Sequence, residues 1–111
     1  MTLHAYRPII AALLLLGTSS ALMAAPPEVQ IQIKDRGFVP AQIEVPADTK
    51  VKLVITNADT IPAEFESNDL SREVIVPGHA RVEVYVGPLK TGKYEFFNDF
   101  HTASTGTLTV R

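Results

Sequence analysis

Over most of the chain, apolar residues recur at every second position rather than every third or fourth. Val29, Ile31 and Ile33 alternate with Gln30, Gln32 and Lys34, while Val51, Leu53 and Ile55 share one parity, as do Val82, Val84 and Val86. Successive side chains of an extended chain point to opposite sides, so this spacing predicts strands with one face on a core. Shorter runs at Ile43–Val45, Glu73–Val76, Tyr94–Phe96 and Thr107–Val110 read the same way. Ile61–Ser67 is a weaker strand, because Pro62 has no N–H to give to a ladder. Pro46-Ala47-Asp48 is a turn signal, and at Pro77-Gly78 the fixed φ of proline and the positive φ open to glycine predict a type II turn. Beyond Ala25 no window has a helical period, a single turn at Asn68–Ser71 apart. About seven or eight short strands, punctuated roughly every 8–12 residues, predict an all-β antiparallel sandwich or small barrel. Tyr94 lies two residues past Gly92 at a strand start, the spacing of a tyrosine corner, and favours Greek-key connections; an ordinary core tyrosine fits the same spacing.

The N-terminus follows another pattern. Arg7 precedes the apolar run Ile9–Leu16, then the small-residue stretch Gly17–Ala25. A charged start, a short apolar middle and small residues before a cut are the parts of a secretory signal peptide. The run is too short for the roughly 20 residues that a membrane-spanning helix needs. Residues 1–24 are therefore expected to be cleaved and residues 25–111 to form one domain, exported by the secretory route. Met1, Met23 and His4 would leave with the leader, so the mature chain would carry no sulfur and keep two imidazoles, His79 and His101.

Composition removes whole classes of function. The chain has 111 residues, 10 Lys and Arg against 12 Asp and Glu, and no Cys or Trp. Balanced charge argues against nucleic acid as a partner. The absence of cysteine excludes zinc fingers, disulfide scaffolds, thiol nucleophiles, iron–sulfur ligation and His₂Cys blue copper. A serine nucleophile would have only His101 for a base and no G-x-S-x-G elbow, and no glycine-rich phosphate loop is present.

Three segments together resemble the cupredoxins across almost all of the mature chain. Phe38-Val39-Pro40 with Ile43, Val45, Val51, Leu53, Ile55 and Asn57-Ala58-Asp59 is similar to the first half of that family. Ile75-Val76-Pro77-Gly78 with Val82 and Val84 is similar to its central hairpin, and Gly92–Phe96 through His101 to Gly106–Val110 to its ligand loop and closing strand. The resemblance implies a cupredoxin-like Greek-key β-sandwich. It also implies four copper-ligand positions, of which one survives. Ala63 or Glu64 stands where the first histidine belongs, Asn98 at the thiolate position, and Ser104 and Thr105 near the axial thioether; His101 is retained. With three of four ligands gone, type 1 copper does not carry over.

A narrower resemblance is to EfeO-type cupredoxin-like domains and the small periplasmic cupredoxin-like proteins of bacterial ferrous-iron uptake, carried by Ala63–Ser67, Val86–Leu89 and Phe96–His101. It implies an accessory of an inner-membrane iron permease that handles iron or copper, or assists Fe(II) oxidation or electron transfer beside it. The residues expected to hold the metal are His101, Glu66, Glu64 and Asp99, with Glu73 a distant fifth. Carboxylates with one imidazole suit iron, manganese or Cu(II) rather than Cu(I). Glu64 and Glu66, two apart, share a strand face, as solvated carboxylates also do. Asp99 equally suits a loop residue bonded to its own backbone. Two other readings stay open: a periplasmic Cu(II)-binding protein, and a metal-free module docking on a membrane transporter through Phe97 and Phe100.

Overall fold

The structure is a computed structural model and describes residues 24–111; apart from Ala24, the predicted leader lies outside the described residues. Among the described residues nine strands follow one another without an intervening helix: β1 (Glu28–Lys34), β2 (Gly37–Val39), β3 (Gln42–Val45), β4 (Val51–Asn57), β5 (Ala63–Ser67), β6 (Arg72–Val76), β7 (Arg81–Val86), β8 (Gly92–Asn98) and β9 (His101–Val110). They form two sheets, ordered β2-β1-β4-β7 and β3-β9-β8-β5-β6. The chain passes from one sheet to the other at β2–β3 and back at β3–β4. That crossing makes β1/β4 and β3/β9 parallel, where the sequence suggested antiparallel pairing throughout.

The alternation governs which side chains meet. Ile31, Ile33, Val51, Leu53, Ile55, Val84 and Val86 are buried on the inner face of the first sheet, as their spacing predicts. Opposite them lie Val45, Phe65, Val76, Phe96, Leu108 and Val110. At the centre Phe96 meets Phe38 edge-on at a centroid distance of 4.9 Å and Phe65 at 5.1 Å. Gly106 lies beneath the Phe96 ring, where any Cβ would strike that ring and approach Ala41 O to 2.8 Å.

The strand beyond the eight expected is β2, three residues that the alternation could not single out. It folds back on β1 through Asp35 and Arg36, both at positive φ, whose N–H groups donate to the Asp59 carboxylate at 2.9 and 2.8 Å. Pro62 does not weaken β5: the strand begins one residue later and lies inside its sheet, between β8 and β6. The turn at Pro77 differs from the expected type II turn. His79, not Gly78, carries the positive φ of 60°. Gly78 is required for another reason, since a Cβ there would run into the Thr60 carbonyl. The expected ligand loop is shorter than the sequence suggested, because β9 starts at His101 and only Asp99 and Phe100 separate it from β8. Tyr94 does make a tyrosine corner, its hydroxyl donating to Lys90 O at 2.8 Å.

Candidate functional site

With Ala63, Phe65 and Ser67 buried toward the core, Glu64 and Glu66 emerge together on the outer face of β5. Register then adds their neighbours. Glu73 of β6 stands opposite Glu66, and Phe97 of β8 flanks Glu66 on its other side. The short β8–β9 turn delivers Asp99, whose N–H donates to Glu64 O at 3.0 Å. One carboxylate oxygen each from Glu64, Glu66 and Asp99 lies within 4.8 Å of the others.

The cluster is electrostatically unbalanced. Among the described residues the ion pairs are Lys52 with Glu28 and Glu83, Arg81 with Glu83, and Arg111 with Glu44; none reaches these carboxylates. Glu64 is 8% exposed and loses most of its hydration. Burial raises its carboxyl above the ordinary value, and the hydrogen bond with Asp99 and the charges of Glu73, Asp99 and Glu66 push it the same way. Glu66 is raised too, by burial first and then by Asp99 and Glu73. Beside the cluster a cleft of about 330 Å³ is lined by Glu66, Ser67, Asn68, Ser71, Arg72 and Glu73. Oxygen donors at this separation, in no ion pair among the described residues and beside a polar cleft, are of the kind that hard cations take.

Three of the four predicted metal residues therefore meet. His101, the fourth, stands outside the group; it is half-buried, with Nδ1 2.9 Å from Ser104 Oγ. The sequence arranges the oxygen donors around this imidazole, whereas the fold assembles them without it, on β5 and the β8–β9 turn. Glu73, only a distant candidate, is the nearest further carboxylate. Its signal in the sequence was nearness to the Glu66–Leu70 turn, and the β5–β6 register is what sets it opposite Glu66. Phe97 is half-buried and Phe100 is 51% exposed.

The donor set does not fit type 1 copper. That centre needs a soft thiolate, and the chain has no cysteine. The expected thiolate position holds Asn98, 1% exposed, whose amide is already engaged with Glu64 N, Phe100 N and Arg36 O.

The comparisons with known proteins agree on the scaffold. Residues 8–110 match the model of the cupredoxin-like domain. An uncharacterized protein of Rickettsia prowazekii (strain Madrid E) is 55% identical over 74 residues, 67% of this chain, and the match spans 59% of that relative's length. Among solved structures, the metal-binding domain of the Streptococcus pneumoniae D39 Cu(I)-exporting P-type ATPase, solved with Cu(I), superposes with a TM-score of 0.72 at 17% identity, over 82% of this chain and 91% of the other. Auracyanin A, a blue copper protein of Chloroflexus aurantiacus, gives 0.67 at 15%, over 78% and 100%. The purple cupredoxin of Nitrosopumilus maritimus gives 0.55 at 24%, over 74% and 98%. Fold, registers and family model converge, and the chain belongs to the cupredoxin-like domain family.

Proposed function

We propose that this protein is a periplasmic cupredoxin-fold accessory of bacterial ferrous-iron uptake that binds a hard cation, iron or Cu(II), on Glu64, Glu66 and Asp99. The observation that carries the reading is the meeting of three carboxylates within 4.8 Å, none of them in an ion pair among the described residues. A cation is the simplest partner for such a group: like charges held close repel, and the ion converts that repulsion into attraction. The copper-binding names of the structural relatives support metal handling on this scaffold. The oxygen donors and the missing thiolate favour a harder ion than the Cu(I) of the first of them. The resemblance of Ala63–Ser67 and Phe96–His101 to iron-uptake proteins points to an inner-membrane iron permease as partner, and the leader-like residues 1–24 to the periplasm.

Calorimetric titration with Fe(II) under anaerobic conditions, Cu(II) and Zn(II) tests this. Binding of Fe(II) or Cu(II) tighter than about 10 µM, worth roughly 7 kcal/mol, is expected for the wild type and lost on Glu64→Gln with Glu66→Gln. Absence of binding for every ion sinks the reading. A second reading rests on Phe100, half of whose surface meets solvent at the tip of the β8–β9 turn. A metal-free module would dock through that ring on a membrane transporter, with Phe97 beside it. A chain that binds no ion but loses association with permease-containing membranes on Phe100→Ser would favour it.

A further inference from the structure

Asn98 is buried among segments that are far apart in sequence. An amide side chain offers an oxygen with two lone pairs and an NH₂ with two donors. Both lone pairs of Asn98 Oδ1 are used, by Glu64 N–H at 3.0 Å and Phe100 N–H at 3.1 Å. Its Nδ2 donates to Arg36 O at 3.1 Å. One side chain thus ties β5, the β8–β9 turn and the β1–β2 turn together. The next residue closes the loop, because Asp99 N–H returns to Glu64 O at 3.0 Å. Both main-chain polar groups of Glu64 are consequently held by the Asn98–Asp99 pair.

The consequence falls on the outer face. Glu64 and Asp99 carry carboxylates that repel, and a flexible turn would let Asp99 swing away from its neighbour. Here the two backbones are locked before any ion arrives. We infer that Asn98 is the positioning residue of the carboxylate cluster, its amide holding Glu64 and Asp99 at a separation suited to one cation. The role rests on the cation reading above and names what preorganises that site. Position 98 has few chemical substitutes. Aspartate keeps the acceptor but has no donor for Arg36 O, and alanine removes the partner of all three groups, leaving the Glu64 N–H unpaired in a buried place.

The test compares wild type with Asn98→Ala, Asn98→Asp and Tyr94→Phe, the last removing the hydroxyl bond to Lys90 O without touching the cluster. Cu(II) and anaerobic Fe(II) titrations are read beside amide hydrogen exchange at Glu64, Asp99 and Phe100. Asn98→Ala is expected to weaken ion binding about tenfold or more and to lose protection at all three amides. Tyr94→Phe is expected to lower stability while leaving affinity and those amides unchanged. Asn98→Asp is expected to retain protection at Glu64 and Phe100, and this measurement carries the test if Asn98→Ala does not fold. Wild-type affinity in Asn98→Ala overturns the inference, as does an equal loss in Tyr94→Phe or unprotected Glu64 and Phe100 amides in Asn98→Asp. A wild-type chain that binds neither ion overturns the cation reading and this role with it. In that event persistent exchange protection shows that the amide tie itself is present and serves the fold alone.

Discussion

Glu64 and Asp99 meet twice: the Asp99 N–H donates to the Glu64 carbonyl at 3.0 Å, and their carboxylate oxygens lie within 4.8 Å. The first contact holds the second in place. Favourable backbone bonding keeps together two groups that electrostatics would separate, so the metal-free protein carries a local strain of charge.

That strain gives a pH dependence of definite sign. Glu64 and Glu66 have carboxyl pKa values raised above the ordinary 4.5, chiefly by burial. The folded state therefore takes up protons at a pH where the unfolded chain does not. Stability of the metal-free protein should rise as pH falls from neutral through the raised values, with this gain complete below the unfolded value of about 4.5. Thermal unfolding between pH 8 and pH 4.5 checks it. Glu64→Gln should unfold at a higher temperature than wild type at pH 7 and show a flatter profile; a lower melting temperature would contradict the burial and repulsion described.

Ligand substitutions separate the carboxylates from the imidazole. Replacing even the outer partners of metal ligands costs roughly 10–100-fold in affinity, so Glu64→Gln with Glu66→Gln should cost about 100-fold or more. His101→Ala should bind as wild type, because its ring is engaged with Ser104 outside the cluster. Calorimetry on the two variants decides between a carboxylate centre and one built on His101.

The tyrosine corner should make a modest, measurable contribution. Tyr94→Phe removes a single 2.8 Å hydrogen bond to Lys90 O and nothing from the core. A loss of about 1 kcal/mol is expected, which for a domain of this size lowers the melting temperature by roughly 4–8 °C.

Packing around Phe96 should tolerate little change. Phe96→Ala would open a cavity between Phe38 and Phe65 and cost about 3–5 kcal/mol. Gly106→Ala pushes a methyl into the same ring and toward Ala41 O, an overpacking worth about 1–3 kcal/mol. Urea denaturation measures both. A neutral Gly106→Ala would mean that the ring has room to move.

Much of the scaffold was legible because alternation is a local property. The inward faces of β1, β4 and β7 follow from residue parity, and so does the pairing of Glu64 with Glu66 on one side of β5. β2 was missed because three residues carry no period, and its hairpin depends on Asp59, contributed from beyond β4. The positive φ at His79 was misplaced onto Gly78 because residue preference names who can adopt it, whereas the nearby Thr60 carbonyl decides why glycine is needed. His101 drew attention through resemblance alone; its hydrogen bond to Ser104 came only with the course of β9.

The sequence by itself determined the all-β character, the buried face of most strands and the loss of any thiolate, since parity, turn residues and elemental composition need no partner strand. Tertiary structure decided which charges became neighbours. Glu64, Glu73 and Asp99 come from β5, β6 and the β8–β9 turn, and what sets them side by side is the order of strands, their register and the buried amide of Asn98. Repulsion alone would keep such carboxylates apart, so only the bonding energy of a completed sheet could bring them to one place.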